Sequence, residues 1–295
     1  LFDGRQQRVK LEIVTSPIGA ELTSIKYNSE ERLHQGESVL DKEGKVFWKR
    51  HAPVLFPIVG SLKNNTTYID GKKYQMSQHG FARDMVFDIV NISEREHTYV
   101  LKYNEDTLKM YPYKFELYIS YIIEDNKLTI IYKVKNLDIR PIYFGIGGHP
   151  AFIIDLKNNK YKVEFENAEN NIKFSQLDAG LISYKNNYIN NSLMSNNRCI
   201  EIRKDTFSHD AIIMSGLSSR KLRLYENNIE KLEFEFGQFK YLSLWSKKNA
   251  PFLCIEPWQT TADYTDSNQD FILKKDNIKL EVNGEYKCSY SIIFK

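Results

Sequence analysis

The sequence predicts an all-β fold. Three observations carry the prediction: apolar residues recur with a period of two, turn signals separate the runs at short intervals, and no amphipathic helix of three turns is present. Phe115, Leu117, Ile119 and Tyr121 alternate with Glu116, Tyr118 and Ser120. Leu232, Phe234 and Phe236 alternate with Glu233 and Glu235, and Ile278, Leu280 and Val282 with Lys279 and Glu281. Each pattern is that of a half-buried antiparallel strand. Residues 128–134 are more continuously apolar, which predicts a strand covered on both faces. Asp70-Gly71 reads as a tight hairpin, Glu124-Asp125-Asn126 divides two strands, and Asn283-Gly284 divides two more. Many strands, regular turns and few helices imply a sandwich or a barrel.

Composition narrows the classes. The chain has 295 residues, enough for one large domain or two ordinary ones. Aromatics make up 13% of it, which suits strands and stacking surfaces for sugars or bases. Lys and Arg exceed Asp and Glu by only 3, and the signs are interspersed as in Lys231-Leu232-Glu233-Phe234-Glu235. That pattern is a solvated surface rather than a phosphate track, so no nucleic-acid partner is expected. No run approaches 18 apolar residues, so no membrane-spanning helix is expected. Cys199, Cys254 and Cys288 lie far apart with no C-x-x-C spacing. A structural zinc site is therefore not expected, and the low, odd count suits a reducing cytoplasmic setting. Leu1 to Arg5 show no basic-then-apolar signal pattern.

Residues 151–200 hold 11 of the 24 asparagines. Asn tolerates left-handed turns, so loops and short strands over the surface are expected there. Apolar pieces such as Tyr161–Phe165 continue through the stretch, so 1–295 is read as a single domain.

Four patches break the alternation. In the first, which runs from Trp48 to Gly60, Arg50 and His51 open an apolar stretch bracketed by prolines, which reads as an irregular, buried loop or as a proline-shaped edge strand with surface charges. In the second, Gln78-His79-Gly80-Phe81-Ala82-Arg83-Asp84, His79 can donate to a ligand oxygen and Arg83 can clamp a hydroxyl or phosphate. The same residues also fit a hairpin with an incidental His. In the third, Gly145, Gly147 and Gly148 precede His149-Pro150. This is no dinucleotide loop; glycines in a strand mark a bulge or a surface where a ligand meets backbone, and His149 is an acid–base candidate. In the fourth, Glu256 interrupts an apolar strand before Pro257 and Trp258. A carboxylate there costs free energy unless it is paired or used, and Trp258 offers a face to a sugar ring or packs in the core. Asp210 begins an apolar strand and reads equally as a turn residue. No H-E-x-x-H, P-loop or G-x-S-x-G pattern occurs, and the histidines lack metal-ligand spacing.

Taken in order, Phe56-Pro57-Ile58-Val59-Gly60, His79-Gly80-Phe81-Ala82-Arg83, Gly148-His149-Pro150-Ala151-Phe152 and Glu256-Pro257-Trp258 resemble the aldose 1-epimerase (galactose mutarotase-like) family, and within it the LacX-like branch. The resemblance implies a large twisted antiparallel β-sandwich, a sugar substrate and no cofactor or metal. It implies Glu256 as general base, His149 as general acid, His79 as a substrate-binding histidine and Asp210 as the acid that holds sugar hydroxyls. The family's arginine after Val-Gly is Ser61 in this chain, a place that Arg50 or Arg83 would have to fill. The expected function is an isomerase of carbohydrate metabolism that interconverts α and β anomers, acting in the cytoplasm as a monomer or homodimer. The alternatives are a hexose-6-phosphate 1-epimerase, with Arg50 and Arg83 holding phosphate, and a non-catalytic sugar-binding protein.

Overall fold

The computed structural model describes residues 11–183 and 193–295. The period-two alternation closes into two large antiparallel sheets. The ten-stranded sheet runs Met194–Ser195, Cys199–Ile202, Tyr161–Phe165, Lys221–Glu226, Ile229–Glu235, Glu285–Phe294, Lys127–Asn136, Phe115–Glu124, Glu96–Lys102 and Asp88–Ile92. The second sheet runs Leu181–Ser183, Lys173–Asp178, Ile212–Ser215, Tyr241–Trp245, Phe252–Trp258, Gly147–Gly148 and Val54–Leu55. Its eighth strand, Ala151–Ile153, also pairs with Phe252–Trp258. One apolar core joins the inner faces, with Leu117, Ile130 and Phe234 from the first sheet against Leu242, Leu253 and Ile255 from the second. The result is a β-sandwich, as expected.

Local readings hold where short-range chemistry decides. Asp70 and Gly71 link Thr66–Ile69 to Lys72–Gln75 with φ of 51° and 72°, the left-handed pair that a two-residue hairpin needs. Among the described residues the one α-helix is Glu105–Met110, capped by the Asn104 side chain, which accepts from the Thr107 N–H. Asn196 and Asn197 both sit at φ 52°. Asn186, Asn187, Asn190 and Asn191 fall outside the described residues. The described strands that begin within 151–200 contribute to both sheets.

One expectation is corrected. Residues 128–134 are not covered on both faces: Leu128, Ile130, Tyr132 and Val134 are buried, but Thr129, Ile131 and Lys133 are only half-buried. Among the described residues the outer face carries long side chains lying across neighbouring strands. Lys133 Nζ, for instance, stands 4.3 Å from the Tyr118 ring centre.

Candidate active site

The second sheet sets the site by register. Along Phe252–Trp258 the side chains alternate. Leu253 and Ile255 enter the main core, whereas Phe252, Cys254, Glu256 and Trp258 share the opposite face. Gly147 pairs with Trp258 and Ala151 with Cys254. The register is the same on both sides of the break at His149-Pro150, so His149 stands opposite Glu256. On the other flank Ser243 pairs directly with Glu256. Three neighbouring strands thus hold His149, Glu256 and Ser243 in one row across the sheet. His149 Nε2 lies 3.1 Å from Glu256 Oε2, although the two atoms are not aligned as a hydrogen bond.

The glycines before His149 serve packing rather than an open ligand surface. A Cβ on Gly147 would lie 2.9 Å from both Trp258 Cδ1 and the Pro257 carbonyl, so only Gly lets the Trp258 indole lie against this strand.

His79 reaches the same place from a loop. Gly80, at φ 74°, lets the chain close against the Phe56 carbonyl, which accepts from the Phe81 N–H at 3.1 Å. His79 is itself at φ 67°; its N–H donates to the Gly60 carbonyl at 2.8 Å, and the Gly60 N–H donates to His79 Nδ1 at 3.0 Å. With Nδ1 accepting, the proton of the neutral ring is on Nε2. The His79 and His149 rings meet edge to face at 5.6 Å between centres.

Aromatic side chains enclose the pair. The chain's three tryptophans all lie here: Trp48 is 4.8 Å and Trp245 5.8 Å from the His149 ring centre, and Trp258 is 6.3 Å from His79. Trp258 shares the face of Glu256, as alternation requires. It is only 4% exposed, packed in a small second cluster with Leu55, Val59, Ile213 and Tyr241 rather than in the main core.

Arg50, Arg83 and Asp210 form the rim. Arg50 donates to Asp84 Oδ1 at 2.8 Å and Arg83 to the Gln78 carbonyl at 2.6 Å, with Arg83 Nε 3.8 Å from Asp84. Burial, aided by Arg50, lowers the Arg83 pKa to about 10. Asp210, exposed at φ 75°, accepts from the Ala211 N–H at 2.8 Å. All three act on the central groups through their charge.

Burial dominates the electrostatics. Glu256 is 1% exposed and its pKa is pushed well above the usual carboxylate range; the nearby Trp258 N–H, not aligned as a full hydrogen bond, opposes the shift and the Asp210 charge adds to it. His149, 7% exposed, is lowered to about 3 by burial, its own backbone opposing and Arg83 and Arg50 assisting. His79 falls well below its ordinary value through burial and then the field of His149 and the two arginines. Burial thus favours the uncharged form of all three groups. A His149⁺/Glu256⁻ pair has the same number of protons as the neutral pair, differing only by one proton moved across the 3.1 Å contact.

Four buried polar atoms here have no hydrogen-bond partner among the described residues: His149 Nδ1, Glu256 Oε2, Ser243 Oγ and Trp258 Nε1. Each such atom costs about 1–3 kcal/mol, and their convergence is the pattern of a site completed by a ligand. Sequence reasoning missed Ser243 and Trp245, and gave no role to Trp48 although it opens the first patch. The regular alternation of Tyr241–Trp245 was a signal for the face that Ser243 and Trp245 share, but not for what they face. His149, Cys254 and Glu256 each offer a metal-ligand atom, the three lying within 4.8 Å of one another.

Comparison with known proteins agrees with this architecture. The family model described as aldose 1-epimerase matches residues 6–279. Protein LacX of Lactococcus lactis subsp. lactis, in its plasmid form, is 31% identical over 261 residues, covering 84% of each chain. The crystal structure of a galactose mutarotase related enzyme from Lactobacillus acidophilus superposes with a TM-score of 0.87 at 30% identity, covering 98% of this chain and 96% of the other. A galactose mutarotase-like protein from Lactobacillus casei gives 0.86 at 27% identity, covering 97% of each.

Proposed function

The chain belongs to the aldose 1-epimerase family, and from that premise we propose that it interconverts the α and β anomers of an unphosphorylated aldose by acid–base ring opening. The observation that carries this reading is His149 Nε2 at 3.1 Å from Glu256 Oε2, both buried and both with an unpaired polar atom. Glu256 takes the proton from the anomeric hydroxyl while His149 gives one to the ring oxygen. The bond from C1 to the ring oxygen breaks, leaving an open-chain aldehyde. Rotation about C1–C2 presents the other face, and ring closure returns both protons. The reaction is proton-neutral and uses only side chains of this chain.

The starting pair is charged, against the direction that burial favours. Bound sugar hydroxyls, together with the Ser243 Oγ–H and the Trp258 N–H, restore to the Glu256 carboxylate the hydrogen bonds that burial removed. The His79 Nε2–H faces a sugar oxygen as a donor, and Asp210 accepts from sugar hydroxyls at the rim. In this reading 1–295 works as one unit.

Neutral sugars are favoured because Arg50 already donates to Asp84 and Arg83 to the Gln78 carbonyl. One observation favours a second reading: Arg83 Nε is buried and unpaired, a free donor for a sugar 6-phosphate. Anomer-exchange NMR on neutral and 6-phosphorylated aldoses decides between them. Exchange on neutral sugars supports the first reading, and exchange only on the phosphates replaces it. Binding without exchange makes the protein a sugar binder.

A further inference from the structure

We propose that Cys254 joins His149 and Glu256 in a site for a soft divalent metal such as zinc, and that metal there shuts off the proton transfer. The inhibition half of this proposal rests on the function proposed above; the metal site itself does not.

Register brings the three ligands together. Cys254 and Glu256 are two residues apart on one strand face, and His149 stands across from Glu256. Tetrahedral zinc, with bonds of about 2.0 Å to nitrogen or oxygen and about 2.3 Å to sulfur, sets its ligand atoms roughly 3.3–3.7 Å apart. The His149 Nε2 to Glu256 Oε2 distance of 3.1 Å is already near that span, and the full set within 4.8 Å needs only small side-chain rotations to reach it. Three protein ligands leave a fourth position for water.

A second observation points to a ligand. Glu256 is 1% exposed, and its Oε2 has no hydrogen-bond partner. A lone charge there is costly, but a divalent ion with one carboxylate and one thiolate is neutral overall. Cys254 has no role in the ring-opening steps. The bland account is that it is a small apolar filler beside Ala151, Ala250 and Phe252. A filler thiol does not ligate metal, so the two accounts part experimentally. Metal would occupy the lone pairs on Glu256 and His149 that have to move protons, so turnover and metal binding exclude each other.

The test uses the whole chain, kept reduced with a phosphine, and cobalt(II) as a spectroscopic probe alongside zinc inhibition. Wild-type protein should show a thiolate-to-cobalt charge-transfer band at one ion per chain, absent from Cys254→Ala. Zinc should inhibit wild-type anomerisation, and Cys254→Ala should need roughly 10–100-fold more zinc while keeping its basal rate. If Cys254→Ala folds poorly, Cys254→Ser keeps the volume and loses the same band. No band in wild type, or equal zinc sensitivity in the variants, overturns the proposal. A cobalt band in a wild-type protein that anomerises no sugar upholds the metal site and removes the proposed function instead.

Discussion

The Gly60 N–H donates to His79 Nδ1 at 3.0 Å, which fixes the neutral His79 ring with its proton on Nε2. Burial and the neighbouring His149, Arg83 and Arg50 hold that ring uncharged, so it works as a fixed hydrogen-bond donor. Long-range ¹⁵N NMR should find the Nε2–H tautomer at neutral pH, and still neutral at pH 6. An Nδ1–H tautomer or a charged ring would remove His79 from its proposed place on a sugar oxygen.

Ser243 gives a second expectation. Its hydroxyl is fully buried, unpaired and directly across the strand pair from Glu256. Ser243→Ala should lower kcat by about 10-fold, the worth of one hydrogen bond to a charged group, with little change in KM. The base-dependent limb of the kcat profile should move to higher pH, since the carboxylate loses a donor. A normal rate and an unmoved limb would make Ser243 a bystander.

Trp258 calls for a gentler substitution than alanine, because its packing with Leu55, Val59 and Tyr241 means truncation would cost about 3–5 kcal/mol of stability. Trp258→Phe keeps an aromatic ring in the cluster while removing the unpaired N–H and part of the indole, so it disturbs the packing far less than alanine. The expected result is a melting temperature near wild type with roughly 10-fold poorer kcat/KM. Unchanged kinetics would assign Trp258 to packing alone.

Much of this was legible because it is local. Alternation around Phe115–Glu124 and the Asp70-Gly71 turn are decided by neighbours in sequence, and both came out as read. Glu256 was visible as a carboxylate interrupting an apolar strand, His149 by the glycines that precede it, and His79 by its place beside Gly80 and Arg83 between strands. The roles of Ser243, Trp48 and Trp245 were not, because the pairing of Ser243 with Glu256 and the tilted ring contact of Trp48 with His149 are long-range contacts with no local signature. Residues 128–134 were misread for the same reason: apolar content does not say whether another layer lies outside.

Stability should carry the mark of the buried groups. The folded pKa of His149 is about 3, below its ordinary 6.5. As pH falls through that window the unfolded chain takes up a proton that the folded chain refuses, so stability is lost; His79 acts in the same direction. Glu256 acts oppositely. Its raised pKa favours the fold below 4.5, and that contribution is lost as pH rises through the folded value. Glu256→Gln should therefore melt higher than wild type at pH 8, by about 2–4 °C for each ~1 kcal/mol recovered, with the gain shrinking toward pH 4.5. Equal or lower melting at pH 8 would contradict the burial argument.

The same variant tests the central claim most directly. Glu256→Gln keeps the shape of the site and removes the base opposite His149. Anomer exchange should be followed by NMR on the aldose that wild-type protein turns over best, with circular dichroism confirming that the variant is folded. The predicted result is a rate lower by about 10²–10⁴-fold, the usual contribution of positioned proton transfer. A folded Glu256→Gln protein that exchanges anomers at nearly the wild-type rate would contradict the account.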